Sequence, residues 1–239
     1  MLKSILTRIL PFVATALLCV VGILLGNWQT RRALEKEEMA TVIQEQMRQP
    51  ALNIHTQVEF AQLRAFHKVK LKGQFVHNWP LYLDNRPLYG VAGFYVLMPF
   101  KMLGSEQAIL IARGWLQRDV ADRTKIPLLL TDESVIEIEG VVRDQLDRTM
   151  QLGKAPALKA GAIVQSVLLD DLRQQSGIKF ADKIVEQTSD SGDGLIRDWP
   201  KPSAGADKHR AYAFQWYGLA LMAAIFFVVT GIRRGKSRK

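Results

Sequence analysis

Two long uncharged runs, one near each end of the chain, constrain its fold more than any other feature. They cover residues 9–30 and 211–232, and each contains 22 residues. As a helix, each run reaches about 33 Å at about 1.5 Å per residue, which matches a bilayer hydrocarbon core of about 30 Å. Because that core offers the backbone no water, only helices or closed barrels satisfy their peptide groups there. The sequence therefore predicts two transmembrane helices with one domain between them.

This layout divides the chain into six segments. We expect a cytoplasmic tail over 1–8, a transmembrane helix over 9–30, a helical connector over 31–50, an extracytoplasmic β-rich domain over 51–208, a second transmembrane helix over 209–232 and a basic cytoplasmic tail over 233–239. The connector is rich in helix-forming residues and ends at Pro50. It is predicted to continue the first span as one long helix or as a bent pair.

The positive charge of the chain is concentrated in its tails. The net charge is +9, of which the first eight residues carry two and the residues after Ile232 carry five. Basic residues flanking a span favour the cytoplasmic side of a membrane. The charge therefore predicts two cytoplasmic termini and an external domain, and it does not indicate nucleic-acid binding.

The middle of the chain alternates in the manner of β-strands. In HKVKLKGQFV, Val69 and Leu71 fall on one face and lysines on the other. Further β-rich runs are GVAGFYVLMPF, QAILIARGWL, SVIEIEGVVRD, AIVQSVLL and KIVEQTS, and DLRQQSG is typical of a short helix. About seven strands with few helices favour a small, mainly antiparallel barrel or sandwich.

The usual sequence signatures of catalysis are missing. Cys19 is the only cysteine and lies in the first apolar run, so neither a disulfide within the domain nor a Cys-x-x-Cys motif is possible. The sequence has no Gly-x-Ser-x-Gly, phosphate-binding glycine loop or His-Glu-x-x-His. His55, His67 and His77 lack carboxylate or thiol partners at ligand spacing, which favours solvated histidines over a metal site. We therefore expect a protein that is not an enzyme.

Both apolar runs carry small residues four positions apart. These are Gly22 and Gly26 in the first run and Ala220 and Ala224 in the second. Small residues at this spacing let helix backbones approach closely, although glycine and alanine are also common in spans without pairing. The motifs predict that the two spans pack against each other.

A candidate haem site lies at the outer end of this predicted pair. Four residues of the second span fall on one helical face: His209, Tyr212, Ala213 and Trp216. Trp28 ends the first span at the same depth, and Arg31 and Arg32 follow one turn later. An imidazole can ligate iron, aromatic rings can cover a porphyrin, and arginines can bind its propionates. The alternative is that the aromatic residues are interfacial anchors and that the histidine caps the helix.

Several blocks also resemble a known family. They are LGNWQTRRALEKEEM, LYLDNR, GVAGFYVLMPF, AILIARGWLQRD and RDWPKPSAGADKHRAYAFQWYGLA, in this order. The same order is seen in the Surfeit-locus protein 1 family, the Shy-type cytochrome oxidase assembly proteins, and the resemblance spans nearly the whole chain. Ala112 stands where the family commonly has asparagine, whereas the following Arg113, Gly114 and Trp115 match it.

The resemblance implies a function that the residues alone do not. It implies a membrane-anchored assembly factor of a haem–copper terminal oxidase, in a bacterial inner membrane with the main domain periplasmic. Expected partners are the catalytic subunit of that oxidase, the enzyme of haem a biosynthesis and the lipid bilayer. Haem a is the implied cofactor, and His209 matches the histidine to which haem binding has been tied in bacterial members. Two alternatives stay open: an oxidase scaffold that binds no haem, and a two-span extracytoplasmic sensor, which would need a separate signalling partner because seven residues follow Ile232.

Overall fold

A computed structural model describes residues 2–77, 79–122, 124–146, 156–200 and 205–236. The helices are α1 (Leu2–Arg48), α2 (Gln57–Gln62), α3 (Leu169–Ser176) and α4 (Ala206–Lys236). The strands are β1 (Leu52–Ile54), β2 (Lys68–Phe75), β3 (Leu81–Leu83), β4 (Gly93–Met102), β5 (Ala108–Gln117), β6 (Ile136–Arg143), β7 (Ile163–Val164) and β8 (Phe180–Gln187). The chain separates into a helical unit, Met1–Gln44 with Pro202–Lys239, and a β unit, Glu45–Lys201.

The first and last helices of the described chain are long and apolar enough to cross a membrane, as predicted. The first, α1, runs without interruption for 47 residues, through Pro11 and through the predicted connector to Arg48. Three predicted features fall partly outside the described residues. They are the N-terminal tail at Met1, the β-rich domain at residues 78, 123, 147–155 and 201–204, and the basic tail at residues 237–239.

The β unit contains a closed barrel. Within the described residues, strands β2, β6, β8, β5 and β4 pair in that order, and β4 returns to β2 through the pairing of Gly73 with Met102. Neighbours in this ring are antiparallel except β5 and β8, which are parallel. The remaining strands extend the sheet: β1 on β2, β3 on β4 and β7 on β3. The predicted mainly antiparallel fold is confirmed, and the closure makes it a barrel.

Alternation along the strands builds the barrel core. Val69 and Leu71 of β2 are fully buried, as the sequence pattern predicts. They pack with buried side chains of neighbouring strands, among them Phe100, Ile111 and Val185. On the other face of β2, Lys70 forms an ion pair with Glu139 of β6 at 2.7 Å. A closed ring leaves few unpaired strand edges, which protects a β domain from edge-to-edge association.

Two small elements were not predicted, although one carries a sequence signal. Strand β1 has only three residues, so it shows almost no periodicity. Helix α2 begins with a capping box, in which Thr56 accepts from the Glu59 amide and the Glu59 side chain accepts from the Thr56 amide. Thr-x-x-Glu is the recognised start signal of a helix. Conversely, the run AIVQSVLL forms a strand at only Ile163 and Val164.

Candidate functional site between the two apolar helices

The two long helices pack antiparallel through small residues. A Cβ added to Gly22 of α1 would lie 2.9 Å from the Cβ of Ala220 and 3.0 Å from the carbonyl oxygen of Trp216, both on α4. One turn away on α1, the Cys19 thiol donates to the carbonyl of Ala220 at 3.4 Å. The predicted helix pairing is therefore present. Its detail differs from two matched small-residue motifs, because Gly26 packs on the ring of Tyr217.

Polar contacts close one flank of this helix pair. The Tyr217 hydroxyl of α4 donates to the Asn27 side chain of α1 at 2.7 Å, and it lies 3.4 Å from the Thr30 hydroxyl. Further along the same flank, Arg210 of α4 forms an ion pair with Glu37 of α1 at 2.6 Å. These contacts bridge the helices over about three turns of α1.

The opposite flank is an open apolar groove with a volume of about 350 Å³. Its walls come from both helices: Leu18, Val21, Gly22, Trp216, Leu219, Met222, Ala223 and Phe226. The glycine contributes no side chain, and the other seven residues are apolar. A groove of this composition in a membrane helix pair accepts a hydrocarbon or an aromatic group, and the Trp216 indole N–H is the one strong hydrogen-bond donor among its side chains.

Helical periodicity extends both walls of the groove. Residues three, four or seven apart lie on one face of a helix. On α1, Trp28 and Arg32 follow Val21 by seven and eleven residues, and on α4 Tyr212 precedes Trp216 by four. Trp28 and Tyr212 are 45% and 52% exposed. Two half-exposed aromatic residues and a cation therefore lie along the flank that the groove occupies.

His209 stands at the end of this arrangement, on the α4 face that contacts α1. It precedes the buried Ala213 by four residues and Trp216 by seven. Its imidazole Nδ1 lies 2.7 Å from Oε1 of Gln29 on α1. Because an amide oxygen only accepts, Nδ1 is the donor in this contact, and Nε2 is the ring nitrogen that Gln29 does not use. A neutral imidazole with one free lone pair is the donor that haem iron takes from a protein, so the residues present fit a haem ligand.

The predicted cations are not all on this flank. Arg32 is exposed and bonded to Glu35 at 2.8 Å. Arg31 is also exposed. It follows Gln29 by two residues, a rotation of about 200° around the helix, so it points away from the face that meets His209. By helical spacing, Trp216, Tyr212, Trp28 and Arg32 fall on the flank of the groove and His209 on the α4 face that meets α1, whereas Arg31 points away.

Gln29 is the member of this site that sequence reasoning missed. A glutamine beside aromatic residues at the end of a span matches no motif, and its partner lies 180 positions away. The sequence signal that could have identified Gln29 was its helical spacing from the predicted packing residues. Gln29 lies three residues after Gly26 and seven after Gly22, on the face already predicted to meet the second span.

The β unit holds a second polar cluster, around Arg113 of β5. Its guanidinium donates to Asp193 at 2.7 Å, to Thr131 at 2.6 Å and to the Leu130 carbonyl at 3.0 Å, and it lies over the ring of Phe75 at 4.6 Å. Burial lowers the pKa of Arg113. A cavity of about 260 Å³ adjoins the cluster. Because these donors are already used within the protein, the cluster fastens two loops to the barrel and is not our candidate for ligand binding.

Comparison with known proteins gives a consistent result over most of the chain. A sequence model of the SURF1 family matches residues 16–221. A SURF1-like protein of Rickettsia felis is 31% identical over 217 residues, covering 86% of this chain and 89% of the relative. A SURF1-like protein of Rickettsia conorii is 30% identical, covering 93% and 90%. Cytochrome oxidase assembly protein SHY1 of Saccharomyces cerevisiae is 24% identical over 102 residues, or 42% of this chain and 26% of the relative. The matched range includes the small-residue packing and Gln29, His209 and Trp216, and the chain belongs to the SURF1 family.

Proposed function

We propose that this membrane protein assists the assembly of a haem–copper terminal oxidase by binding haem a between α1 and α4 and passing it to the catalytic subunit. The assembly role follows from the family and from the name of its yeast member. The haem role rests on one observation above all. His209, whose Nδ1 contacts Gln29 and whose Nε2 is not used in that contact, lies two turns from an apolar groove that is continued by aromatic residues and a cation.

The chemistry of the cargo matches the two ends of this flank. Haem a combines an apolar body and a long hydrocarbon tail with two anionic propionates. The groove below Trp216 offers an apolar surface to the hydrocarbon parts. Arg32, at the outer end of the same flank, is exposed and can bind a propionate by exchanging its weak surface contact with Glu35. We retain Arg31 only as an outer cation, whose long side chain is able to turn toward a propionate.

An open groove suits a protein that passes haem on better than a protein that retains it. With His209 as a single protein ligand and the groove open on one side, a bound haem would remain accessible to a receiving protein. The polar flank, held by Tyr217 and Arg210, keeps the helices together while the groove loads and empties. We therefore expect binding that is specific and readily reversible.

The orientation follows from charge. Five cations after Ile232 favour a cytoplasmic C-terminus. With two spans, the β unit then lies on the periplasmic side of the inner membrane, and His209 lies near that surface. The proposed partners are the catalytic oxidase subunit and the haem a synthesis enzyme that supplies the cargo within the same bilayer.

Visible absorbance of the purified protein tests the proposal. The full chain is purified from cells that synthesise haem a, and bound haem is quantified after extraction. We expect His209→Ala to lose most of the haem and to lower the haem content of the client oxidase. Trp216→Leu and Tyr212→Leu should weaken binding less, because these rings cover the porphyrin without ligating iron. His55→Ala, in the β unit, is the matched control and should retain full occupancy.

The opposite result has a definite meaning. If His209→Ala retains a full haem complement with an unchanged spectrum, His209 is not the ligand and this groove is not the haem site. If the normal protein binds no haem in cells that make it, yet oxidase assembly fails without the protein, the chain is a scaffold for assembly and not a carrier.

A further inference from the structure

Gln29 of α1 and His209 of α4 contact each other through one pair of polar atoms. Gln29 Oε1 accepts from His209 Nδ1 at 2.7 Å, and the two residues are 180 positions apart in the chain. A neutral imidazole can carry its proton on either nitrogen. Which of the two nitrogens carries the proton depends on the hydrogen bonds that each of them can make. In this contact the Gln29 amide oxygen faces Nδ1, so a neutral His209 carries its proton there.

The position of Gln29 is rigidly defined. One turn before it, Gly26 packs on the Tyr217 ring so closely that an added Cβ would lie 2.4 Å from the ring. One turn after it, Ala33 is almost completely buried. The backbones are therefore held near each other on both sides of Gln29. Its side chain reaches His209 without depending on a flexible loop.

We propose that Gln29 is a positioning residue that holds His209 in the Nδ1–H tautomer, with the Nε2 lone pair available to haem iron. This inference rests on the proposed function. Gln29 does not touch the iron; it acts through the imidazole. Metal-ligating histidines generally donate their second ring N–H to a protein oxygen, which fixes both the tautomer and the ring orientation.

The choice of an amide has a chemical consequence. A carboxylate in the place of Gln29 would accept the same hydrogen bond with a full negative charge, and it would make the imidazole a stronger electron donor to iron. An amide orients the ring with a weaker electronic effect. That combination fits a carrier, which must hold its cargo in one geometry and still release it.

The first measurement needs no haem. The full chain is labelled with ¹⁵N-histidine, placed in lipid nanodiscs and examined by NMR, with His209→Ala used to assign its signals among the four histidines. We expect the normal protein to show the Nδ1–H tautomer at His209. Gln29→Leu should lose it, and Gln29→Glu should retain it. Gln29→Asn keeps the amide but is one methylene too short, so it should behave like Gln29→Leu.

The second measurement uses added haem. Gln29→Leu and Gln29→Asn should bind haem about 10–100-fold more weakly, which is the usual effect of removing such a hydrogen bond. Gln29→Glu should restore binding and lower the reduction potential of the bound haem. Crosslinking of native Cys19 to Ala220→Cys verifies that the helices still pair in each variant, because the Cys19 thiol lies 3.4 Å from the Ala220 carbonyl.

The outcomes separate the two levels of the proposal. If His209 carries its proton on Nε2 in the normal protein, the inference is wrong whether or not haem binds. If Gln29→Leu changes the tautomer but leaves haem affinity and spectrum unchanged, the positioning role is wrong and the proposed function stands. If the tautomers behave as expected but the normal protein binds no haem, the proposed function fails, and only the hydrogen bond between Gln29 and His209 remains.

Discussion

Arg113 and Asp193 form an ion pair in which the two side chains are only 1% and 3% exposed, with 2.7 Å between nitrogen and oxygen. Arg197 donates to the same carboxylate, also at 2.7 Å. Two guanidinium groups thus share one buried anion. Breaking a buried pair by removing one partner leaves an uncompensated charge, which costs far more than an exposed pair contributes.

The first prediction concerns this carboxylate. Asp193→Asn should lower the free energy of unfolding of the β unit by about 3–5 kcal/mol, because Arg113 loses its buried counter-ion and Arg197 keeps only the exposed Asp190. This change in the free energy of unfolding is measured by urea denaturation of the full chain in detergent, with near-UV circular dichroism as the signal. The matched control is Asp182→Asn, which removes an exposed partner of Arg173 and should cost at most about 1 kcal/mol. Equal effects of the two substitutions would contradict the assignment of the buried cluster as a structural fastening.

The second prediction is the pH dependence of the same cluster. Burial would raise the pKa of Asp193, but hydrogen bonds from Arg197 and Arg113 outweigh it, so the pKa lies below its ordinary value of 3.8. A depressed folded-state pKa contributes stability above the unfolded-state pKa, and that stability is lost as pH falls through the folded-state value. The normal protein should therefore lose stability below about pH 4 more steeply than Asp193→Asn. Unfolding free energies measured from pH 7 down to pH 3 compare the two, and parallel curves would show that Asp193 does not titrate as described.

The sequence predicted the parts of this molecule that repeat along the chain. The two spans follow from length and polarity, and β2 follows from the alternation of buried Val69 with exposed lysines. The helix pairing was also accessible, because Gly22 and Ala220 stand in recognisable small-residue spacings. These features can be predicted because they depend on patterns within short stretches of the sequence.

The parts that were missed depend on single long-range contacts. Asp193 matches no motif in the sequence, yet it supplies the counter-ion for Arg113, 80 positions earlier. One signal pointed to such a partner: Arg113 interrupts the apolar run of β5, and a lone charge in a buried strand needs an opposite charge. Gln29 gave a weaker sequence signal, since an amide near a membrane surface is ordinarily solvated. Only the helix packing shows that it meets His209.

The third prediction tests the packing at Gly22. Gly22→Leu should separate α1 from α4, because even a Cβ there would lie 2.9 Å from Ala220. Gly218→Leu is the matched control, since an added Cβ at Gly218 meets nothing within 4 Å. The readout is oxidation of native Cys19 with Ala220→Cys in the membrane. We expect efficient intramolecular crosslinking in the Gly218→Leu background and little in the Gly22→Leu background.

The crosslink has its own control. Leu221→Cys lies one residue beyond Ala220 and is exposed on the outer face of α4, so it should react poorly with Cys19. Equal crosslinking from positions 220 and 221 would show that the helices do not hold one register in the bilayer.

The last prediction is the orientation in the membrane, which decides at which membrane surface the proposed haem site lies. The five cations after Ile232 are expected to stay in the cytoplasm, so a reporter active only outside the cytoplasm should be silent when fused after Lys239. In a Cys19→Ser background, Val120→Cys should react with a membrane-impermeant maleimide in intact spheroplasts, because Val120 is 93% exposed. Val69→Cys, at a fully buried position of the same β unit, is the control and should remain unlabelled. Labelling of Val120→Cys only after permeabilisation, together with an active reporter at the C-terminus, would reverse the topology. His209 would then face the cytoplasmic surface, and haem would have to enter from that side.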